Sequence, residues 1–187
     1  MRIYTRKGDD GTTGLLFGGR VSKNSSRIET NGAVDEAQAA LGVARAEATP
    51  GSDLDEMLVG LERDLYVLMA EVATATKNRH KLQPGTSQVT SEMVDALETR
   101  IDQLSEQTTM PTEFVIPGAN RRSATLDAAR TAVRRAERIA VSEPIEGSLV
   151  VTYLNRLSDL VWTMARWQEG DEHLEARSEE PGTKEHT

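Results

Sequence analysis

The stretch LDEMLVGLERDLYVLMAEV, residues 54–72, decides the fold class of this chain. Its large apolar residues recur at intervals of three and four, which is the spacing of one face of an α-helix. They are Leu54, Met57, Leu58, Leu61, Leu65, Leu68 and Val72. A stripe of this width faces a protein core. Because Ser52 or Asp53 can cap the first turn, we predict a helix that begins there and fades near residues 78–80.

Four further segments carry the same helical spacing, one before this stretch and three after it. Proline and glycine residues separate them, as expected at helix breaks. The predicted helices run from Ile28 to the break at Pro50-Gly51, through residues 54–72, from about Met93 to Gln107, from about Ala119 to Ser142 and from about Gly147 to Glu169. Five helices with short links predict an all-α, five-helix bundle.

The two ends of the chain differ from this helical part. Residues 1–27 are rich in Gly, Thr and Ser and predict an extended segment poised for a ligand, with at most a short strand at Arg2 to Thr5. Residues 171–187 lack sustained apolar periodicity and predict a flexible acidic tail. We therefore expect one domain over residues 1–170, followed by that tail.

The composition excludes several classes of function. Two Trp, three Tyr and two Phe among 187 residues are few for a β-sandwich or barrel. There is no cysteine, and His80, His173 and His186 lie far apart, so thiolate chemistry is excluded and a metal site built on imidazoles is not indicated. A net charge of -8 argues against a nucleic-acid surface, and no apolar run approaches the length of a membrane span. Since the N-terminus does not read as a signal peptide either, we expect a cytoplasmic protein.

The densest basic cluster lies in ARTAVRRAERIAV, residues 129–141. Its arginines are Arg130, Arg134, Arg135 and Arg138. Three of them are spaced by four and share one helical face, and Glu137 can hold an arginine in position. The pattern is typical of a solvated charged face. An excess of arginine in an acidic protein also predicts a polyphosphate site, because guanidinium groups bind phosphate through paired hydrogen bonds.

A second segment suited to phosphate is TRKGDDGTTGLLFGG near the N-terminus, where five glycines lie among the first 19 residues. Glycines let the backbone approach a phosphate, consecutive N–H groups can form an anion-binding nest, and Thr12 and Thr13 add hydroxyl donors. Lys7 and Lys23 add charge. The GxxxxGK[ST] pattern of a P-loop is missing. Taken alone, the segment fits a phosphate cradle or a flexible terminus.

Two polar stripes on predicted helices also have two interpretations each. Asp35 and Glu36 lie in the first turns of the first helix. Their carboxylates could serve only to interact favourably with the helix dipole, or one of them could pair with an arginine elsewhere in the protein. The stripe on the fifth helix consists of Asn155, Ser158, Asp159 and Trp162. It fits an ordinary surface or the wall of a site, and local spacing does not decide between them.

Five motifs occur in the order found in one enzyme family. They are YTRKGDDGTTGL, VDEAQAALG, FVIPG, RTAVRRAER and YLNRLSDLVWTMAR. Together they span roughly Ile3 to Gln168 and resemble the PduO-type ATP:cob(I)alamin adenosyltransferases. Families of the CobA type, which share this chemistry, carry a P-loop, so its absence agrees with the resemblance. The chain departs from the family at Arg6-Lys7, where members often have a lysine and a variable residue, and at Ala37-Gln38, where Leu-Asn is common.

The resemblance implies a homotrimer of five-helix bundles, with ATP held between neighbouring subunits and the corrinoid in an adjoining pocket. The ATP-binding residues that it implies are Thr5, Arg6, Lys7, Gly8, Thr13, Gly14, Lys23, Arg134, Arg135, Ala136, Glu137, Arg138 and Asn155. Asp35 and Arg130 match a salt bridge across the subunit interface. The catalytic residues implied are Arg134 and Phe114, the latter as the aromatic residue that closes the lower face of the corrinoid.

The reaction that the resemblance implies is transfer of the 5'-deoxyadenosyl group of ATP to cob(I)alamin, which forms adenosylcobalamin and releases triphosphate. Reduced Co(I) is itself the nucleophile, so the protein needs none, which agrees with the missing cysteine. Charge on the departing triphosphate would be stabilised by Arg134, Lys23, the N-terminal backbone and Mg2+ bound to the ATP phosphates, for which no protein ligand stands out.

The implied partners besides the two substrates are a flavoprotein reductase and a cobalamin-dependent enzyme that receives the product. An alternative from another class is a helical protein without catalysis, either a regulator that responds to ATP or a corrinoid chaperone. Release of triphosphate distinguishes the enzyme from both.

Overall fold

A computed structural model describes residues 3–176 of the chain. It contains the five predicted α-helices, which are α1 Ser26–Ala46, α2 Asp53–Val72, α3 Ser91–Gln107, α4 Arg121–Ser142 and α5 Val150–Glu169. Short 3-10 helices at Thr76–Lys81 and Gly170–Glu172 follow α2 and α5. The helical class and the approximate helix positions predicted from the sequence are therefore confirmed, except at the end of the second helix. Helix α2 ends at Val72 and not near residues 78–80, which lie in the separate 3-10 helix.

Helix α2 shows why the opening stretch is helical. The side chain of Ser52 accepts a hydrogen bond from the backbone N–H of Asp55 at 3.4 Å and so caps the first turn. Acidic residues in that turn favour the helix dipole. Along the helix, six members of the predicted stripe are buried, and Met57 packs against them from a half-buried position.

The helices pack as a bundle around a leucine-rich and alanine-rich core. Helix α4 packs against α1 and α5, α3 packs against α5, and α2 packs against α1. Residues that are fully excluded from solvent lie on α1, α2, α4 and α5 and include Val34, Leu41, Leu65, Leu126, Val133, Ala136, Leu154 and Leu157. Both α1 and α4 contribute buried alanines to this core, and such small side chains permit close packing of helices.

The N-terminal segment forms a hairpin that the sequence did not predict. Strand β1, Thr12–Gly14, pairs antiparallel with β2, Arg20–Ser22, so that Thr13 lies opposite Val21. The strand predicted at Arg2 to Thr5 is wrong for residues 3–5, and Arg2 lies outside the described residues. The adjacent threonines favour extended backbone, and Gly18 and Gly19 adopt the positive φ angles that close the loop between the strands.

A second small pairing joins the C-terminal region to the loop before α4. Strand β3, Val115–Ile116, pairs antiparallel with β4, Leu174–Glu175, and the N–H of Ala176 donates to the carbonyl of Phe114 at 2.6 Å. Part of the segment predicted to be a flexible tail therefore has regular structure. Residues 177–187 of that predicted tail lie outside the described residues.

Between residues 3 and 176, none of the helices is long and apolar enough to cross a bilayer. The cytoplasmic location stays a prediction.

Candidate functional site

The N-terminal hairpin is attached to the C-terminal end of α2. The N–H of Leu16 donates to the carbonyl of Ala73 at 2.9 Å. The side-chain amide of buried Asn78 donates to the carbonyls of Phe17 and Gly18 at 3.2 and 3.3 Å. These bonds hold the glycine-rich loop against the bundle, so the phosphate cradle predicted from the sequence has a defined place in the fold.

Arg20 organises the inside of this loop. Its guanidinium donates to the hydroxyl and carbonyl of Thr12 and to the carbonyl of Lys7. The carboxylate of Asp10 accepts from the N–H and hydroxyl of Thr12 at 2.9 and 2.8 Å and lies 3.5 Å from Arg20. Hydrogen bonds from Thr12, with a contribution from Arg20, hold the pKa of Asp10 below its usual range. The sequence did not single out Arg20, whose role depends on the hairpin register.

The predicted ATP-binding residues of this segment lie on or beside the loop. The ammonium group of Lys23 lies beside Gly8, where a Cβ atom built on the glycine would come within 3.0 Å of the Nζ atom. The backbone N–H of Lys23 also donates to the carbonyl of Gly11 at 2.9 Å. Exposed members of the set are Thr5, Arg6, Lys7, Gly14 and Lys23, whereas Gly8 and Thr13 are half-buried. Gly8 thus permits the close approach of a lysine to the loop backbone.

The arginines of α4 divide into two kinds. Arg135 pairs with Glu36 of α1, and Arg130 lies 3.5 Å from Asp127 of its own helix. Arg134 and Arg138 are exposed, and neither has a carboxylate partner among residues 3–176. Two cations of the predicted polyphosphate face are therefore available to an anion.

Two other residues of the RRAER motif behave differently from expectation. Glu137 does not hold an arginine, because its Oε1 atom accepts a hydrogen bond from the amide of Asn155 at 2.9 Å. Ala136 is fully buried, so its side chain packs in the core and does not face a ligand. The structure thus brings Asn155 of α5 to the motif on α4, as the predicted site requires.

The contact between α4 and α5 continues to α3. Arg156 donates to the Oδ1 atom of Asn155 at 3.1 Å and to the carboxylate of Glu98 at 2.6 Å. Glu137, Asn155, Arg156 and Glu98 therefore form a continuous hydrogen-bonded chain across three helices. Sequence reasoning missed Arg156 and Glu98, because their sequence separation of 58 residues leaves no local signal.

Phe114 lies at a cavity of about 380 Å3 between the loop before α4 and the α4 and α5 helices. Its side chain is 87% exposed, so an aromatic ring faces solvent at the edge of this cavity. The cavity is also lined by Pro111, Thr112, Glu113, Val115, Pro117, Asp127, Arg130, Trp162 and Arg166. The structure thus brings Phe114 and Arg130 to one cavity.

Two members of a buried ionic cluster, Asp127 and Arg166, line this cavity. Arg166 donates to Asp127 at 2.6 Å and lies 2.7 Å from Glu169, and all three side chains are almost fully buried. The guanidinium of Arg166 also lies over the ring of Trp162, 5.6 Å from its centroid. None of these residues except Trp162 stood out in the sequence, where Arg166 follows an apolar run without a visible partner.

The predicted pair of Asp35 and Arg130 is not formed within one chain. Asp35 is exposed on α1, and among residues 3–176 it takes part in no ion pair. In the same described part of the chain, no hydrogen bond or ion pair joins the N-terminal loop to Arg134, Arg135 or Arg138. A complete site from these parts would need groups from a second subunit, which stays a prediction.

Comparison with known proteins agrees with these features. A profile of the cobalamin adenosyltransferase family matches residues 3–168. A corrinoid adenosyltransferase of Citrobacter freundii is 42% identical over 171 residues, covering 90% of this chain and 95% of that protein. A corrinoid adenosyltransferase of Bacillus subtilis (strain 168) is 39% identical over 174 residues, covering 89% of this chain and 86% of that protein.

A solved structure is similar over the same extent. It is a variant of the PduO-type ATP:corrinoid adenosyltransferase of Lactobacillus reuteri, complexed with cobalamin and ATP, with a TM-score of 0.80 and 27% sequence identity over 90% of this chain and 93% of that one. The family profile, the sequence relatives and the fold cover the same helical domain. This chain therefore belongs to the cobalamin adenosyltransferase family.

Proposed function

We propose that this protein transfers the 5'-deoxyadenosyl group of ATP to cob(I)alamin or a related corrinoid, forming adenosylcobalamin and releasing triphosphate. Family membership supports the reaction class. The structural observation that carries the proposal is the exposed pair Arg134 and Arg138 on α4, which lacks a carboxylate partner within the described part of the chain. Two unneutralised guanidinium groups on a rigid helix suit the phosphates of a nucleotide.

The chemistry needs positioning and charge stabilisation from the protein. The two electrons of Co(I) form the bond to the 5' carbon of ATP, the carbon–oxygen bond to the triphosphate breaks, and the cobalt is oxidised to Co(III). Triphosphate leaves with the bonding electron pair. Groups that stabilise this added charge lower the barrier, and groups that hold the two substrates in line remove the entropic cost of their encounter.

We assign the phosphates of ATP to the N-terminal loop and to the arginines of α4. The loop offers backbone N–H groups, the hydroxyl of Thr13 and the ammonium of Lys23, and Arg20 holds its shape. The other residues of this proposed ATP site are Thr5, Arg6, Lys7, Gly8, Gly14, Arg134, Arg135, Glu137, Arg138 and Asn155, whereas Ala136, which the resemblance also implied, packs in the core beneath them. Because no hydrogen bond or ion pair joins the two halves among residues 3–176, we propose that neighbouring subunits of a homotrimer supply one half each.

The same assembly would give Asp35 its partner. Asp35 is exposed on α1. The Nε atom of Arg130 lies 3.5 Å from Asp127 and has no hydrogen-bond partner among residues 3–176. A carboxylate from a second subunit would satisfy this guanidinium. We therefore propose an intersubunit pair between Asp35 and Arg130 beside the Phe114 cavity.

Magnesium would enter with the nucleotide. Among residues 3–176 there is no group of three or more His, Asp or Glu side chains placed to hold a metal ion. We therefore assign Mg2+ to the phosphate oxygens of ATP, where it would neutralise charge on the triphosphate.

Phe114 and its cavity are our proposed contact for the corrinoid. An exposed aromatic ring beside a cavity can cover an apolar face of a large planar ligand and exclude water from it. A lower axial ligand, either water or the dimethylbenzimidazole base of cobalamin, stabilises Co(II) and makes it hard to reduce. Excluding both from the lower face would make reduction to Co(I) easier. A flavoprotein reductase would supply the electron, and a cobalamin-dependent enzyme would receive the product.

The test is to mix the protein with ATP, Mg2+ and chemically reduced cobalamin. The expected result is the light-sensitive spectrum of adenosylcobalamin together with one triphosphate for each product molecule. If the folded protein left the cobalamin spectrum unchanged, the proposed adenosyltransferase activity would be refuted. If ATP then still raised Tm without triphosphate release, the result would support a binding protein.

A further inference from the structure

We infer that Arg156 and Glu98 are positioning residues that force the Asn155 amide to present an N–H donor to the nucleotide. The inference rests on the proposed function, because it deepens the role assigned to Asn155 in ATP binding. Its basis is the hydrogen-bonded chain that links α3, α4 and α5.

The chemistry of the two neighbours determines the orientation of the Asn155 amide. On one side lies the carboxylate of Glu137, 2.9 Å from Nδ2, and a carboxylate only accepts hydrogen bonds. On the other side lies the guanidinium of Arg156, 3.1 Å from Oδ1, and a guanidinium only donates. The opposite amide orientation would place oxygen against oxygen and N–H against N–H. Only one orientation is therefore compatible with both neighbours.

This orientation specifies what Asn155 can offer to a ligand. The amide nitrogen carries two hydrogens, and Glu137 takes one of them. The remaining N–H is available to an acceptor on the nucleotide, such as a ribose oxygen, a phosphate oxygen or an unprotonated ring nitrogen. Without Arg156, only Glu137 would oppose rotation of the Asn155 amide, so its preference for an acceptor would be weaker.

Glu98 supplies the third link, since it holds Arg156. The Nε atom of Arg156 donates to Oε1 of Glu98 at 2.6 Å, and this carboxylate lies on α3, which packs against α5. The Arg156 guanidinium therefore donates one hydrogen bond to Glu98 and another to Asn155. Helix α3 carries no predicted ATP-binding residue, yet through this pair it controls one that lies on α5.

The pair itself contributes little to folding, which makes the positioning role testable. The Arg156 and Glu98 side chains are 39% and 48% exposed, and ion pairs at such positions are weak in water. Removing the pair should therefore leave Tm nearly unchanged. A change in ATP affinity would report on the amide and not on the stability of the bundle.

The first experiment compares Arg156→Met, Glu98→Gln and the control Arg100→Met in the adenosyltransferase assay. Arg100 is an exposed arginine of α3 that donates to Gln103 of its own helix. For Arg156→Met we expect the KM for ATP to rise about tenfold with a smaller change in kcat, because the lost contact acts in binding. Glu98→Gln should raise the KM less, Arg156→Lys should recover part of the loss, and the control should match the wild type.

The decisive variant is the charge exchange Glu98→Arg/Arg156→Glu. It restores an ion pair between α3 and α5, but it places a carboxylate next to the Asn155 amide oxygen. We expect its Tm to match the wild type while its KM for ATP stays as high as that of Arg156→Met. Recovery of the wild-type KM, or an unchanged KM in folded Arg156→Met, would overturn the inference while leaving the proposed function intact.

Binding without catalysis supplies an independent readout. A wild type that makes no product refutes the proposed function, and the ATP-induced rise in Tm then compares the same variants. A smaller rise for Arg156→Met than for Arg100→Met would support the positioning role. Equal rises, or no rise in the wild type, would refute it.

Discussion

The two proposed halves of the ATP site are built in opposite ways. The N-terminal half is a loop held by backbone hydrogen bonds, Arg20 and the anchor Asn78. The helical half consists of charged side chains on α4 and the Asn155 amide on α5, and the opposite faces of these helices are fully buried, as at Val133 and Leu157. A substitution in the helical half should therefore remove a charge without changing shape. A substitution in the loop should change shape first and ligand contacts as a result.

The largest effect should come from Arg134→Ala. The side chain is exposed, so its removal leaves the core intact, but it takes away charge that we assign to the leaving triphosphate. We expect kcat/KM for ATP to fall by about 100-fold or more, as for the loss of other groups that stabilise developing charge. The spectrophotometric assay measures this, with Tm as the check on folding and Arg63→Ala, at an exposed arginine of α2, as the control. Wild-type kinetics in Arg134→Ala would show that the helical half does not act on ATP.

Mixing variants tests whether the two halves come from different subunits. Arg134→Ala damages the helical half, and Lys23→Ala damages the loop. If neighbouring subunits share each site, random mixed assemblies should contain undamaged sites and recover about a quarter of wild-type activity. The two variants are unfolded, mixed and refolded together before activity is measured. Each variant refolded alone is the control. No recovery in mixed assemblies would place both halves of the site in the same chain.

Glu71→Gln should weaken the support of the loop. Glu71 is fully buried at the end of α2, where it pairs with Arg79 at 2.9 Å and accepts from the N–H of Val89 at 2.7 Å. Removing its charge leaves Arg79 without a partner, which should cost about 2 kcal/mol of unfolding free energy because Arg79 retains some solvent. Urea unfolding measures this cost.

The same variant should affect the loop more than the helices, because Asn78 lies in the 3-10 helix that Arg79 helps to hold. We expect the KM for ATP to rise together with the loss of stability. Glu106→Gln, at an exposed position of α3, is the matched control. A normal urea midpoint in Glu71→Gln would contradict the importance of this buried pair.

Arg20→Met should change the loop without changing the bundle. The variant loses the hydrogen bonds to Thr12 and Lys7, so the loop populates other conformations and must be ordered again on binding. We expect the KM for ATP to rise about tenfold at nearly constant Tm and kcat. Steady-state kinetics with Arg63→Met as the control would check this. A large fall in kcat with unchanged KM would mean that Arg20 acts on the transition state instead.

The smallest effect should be that of Asp10→Asn, with a rise in the KM for ATP of less than about threefold, since the Asp10 side chain is 64% exposed and its ion pair with Arg20 is weak. The Thr12 contacts lower the pKa of Asp10, so they stabilise the loop above the ordinary aspartate value and are lost as pH falls through the lowered pKa. The Thr12 amide resonance should therefore titrate below pH 3.8, the ordinary value, in the wild type and not in Asp10→Asn. Titration at or above that pH would contradict the contact.

Sequence reasoning was most successful where spacing along one helix carries the signal. The stripe in α2 and the shared face of the α4 arginines follow from residues three and four apart, and both appear in the structure. It failed at the N-terminus, where the strands are Thr12–Gly14 and Arg20–Ser22 and not Arg2 to Thr5. Hairpin pairing depends on turn geometry and on docking to Ala73 and Asn78, which lie far away in the sequence.

The sequence by itself determined the helical class, the helix positions and the family. The reason is that apolar spacing within a helix and the order of motifs along the chain can be read without knowing which residues meet in space. Only the tertiary structure decided which charges are neutralised and which are available. It pairs Arg135 with Glu36 and Arg166 with Asp127, it leaves Arg134 exposed, and it places Arg156 between two helices. The physical reason is that an ion pair requires two side chains to meet within a few ångströms, and only the packing of α1, α3, α4 and α5 determines which side chains meet.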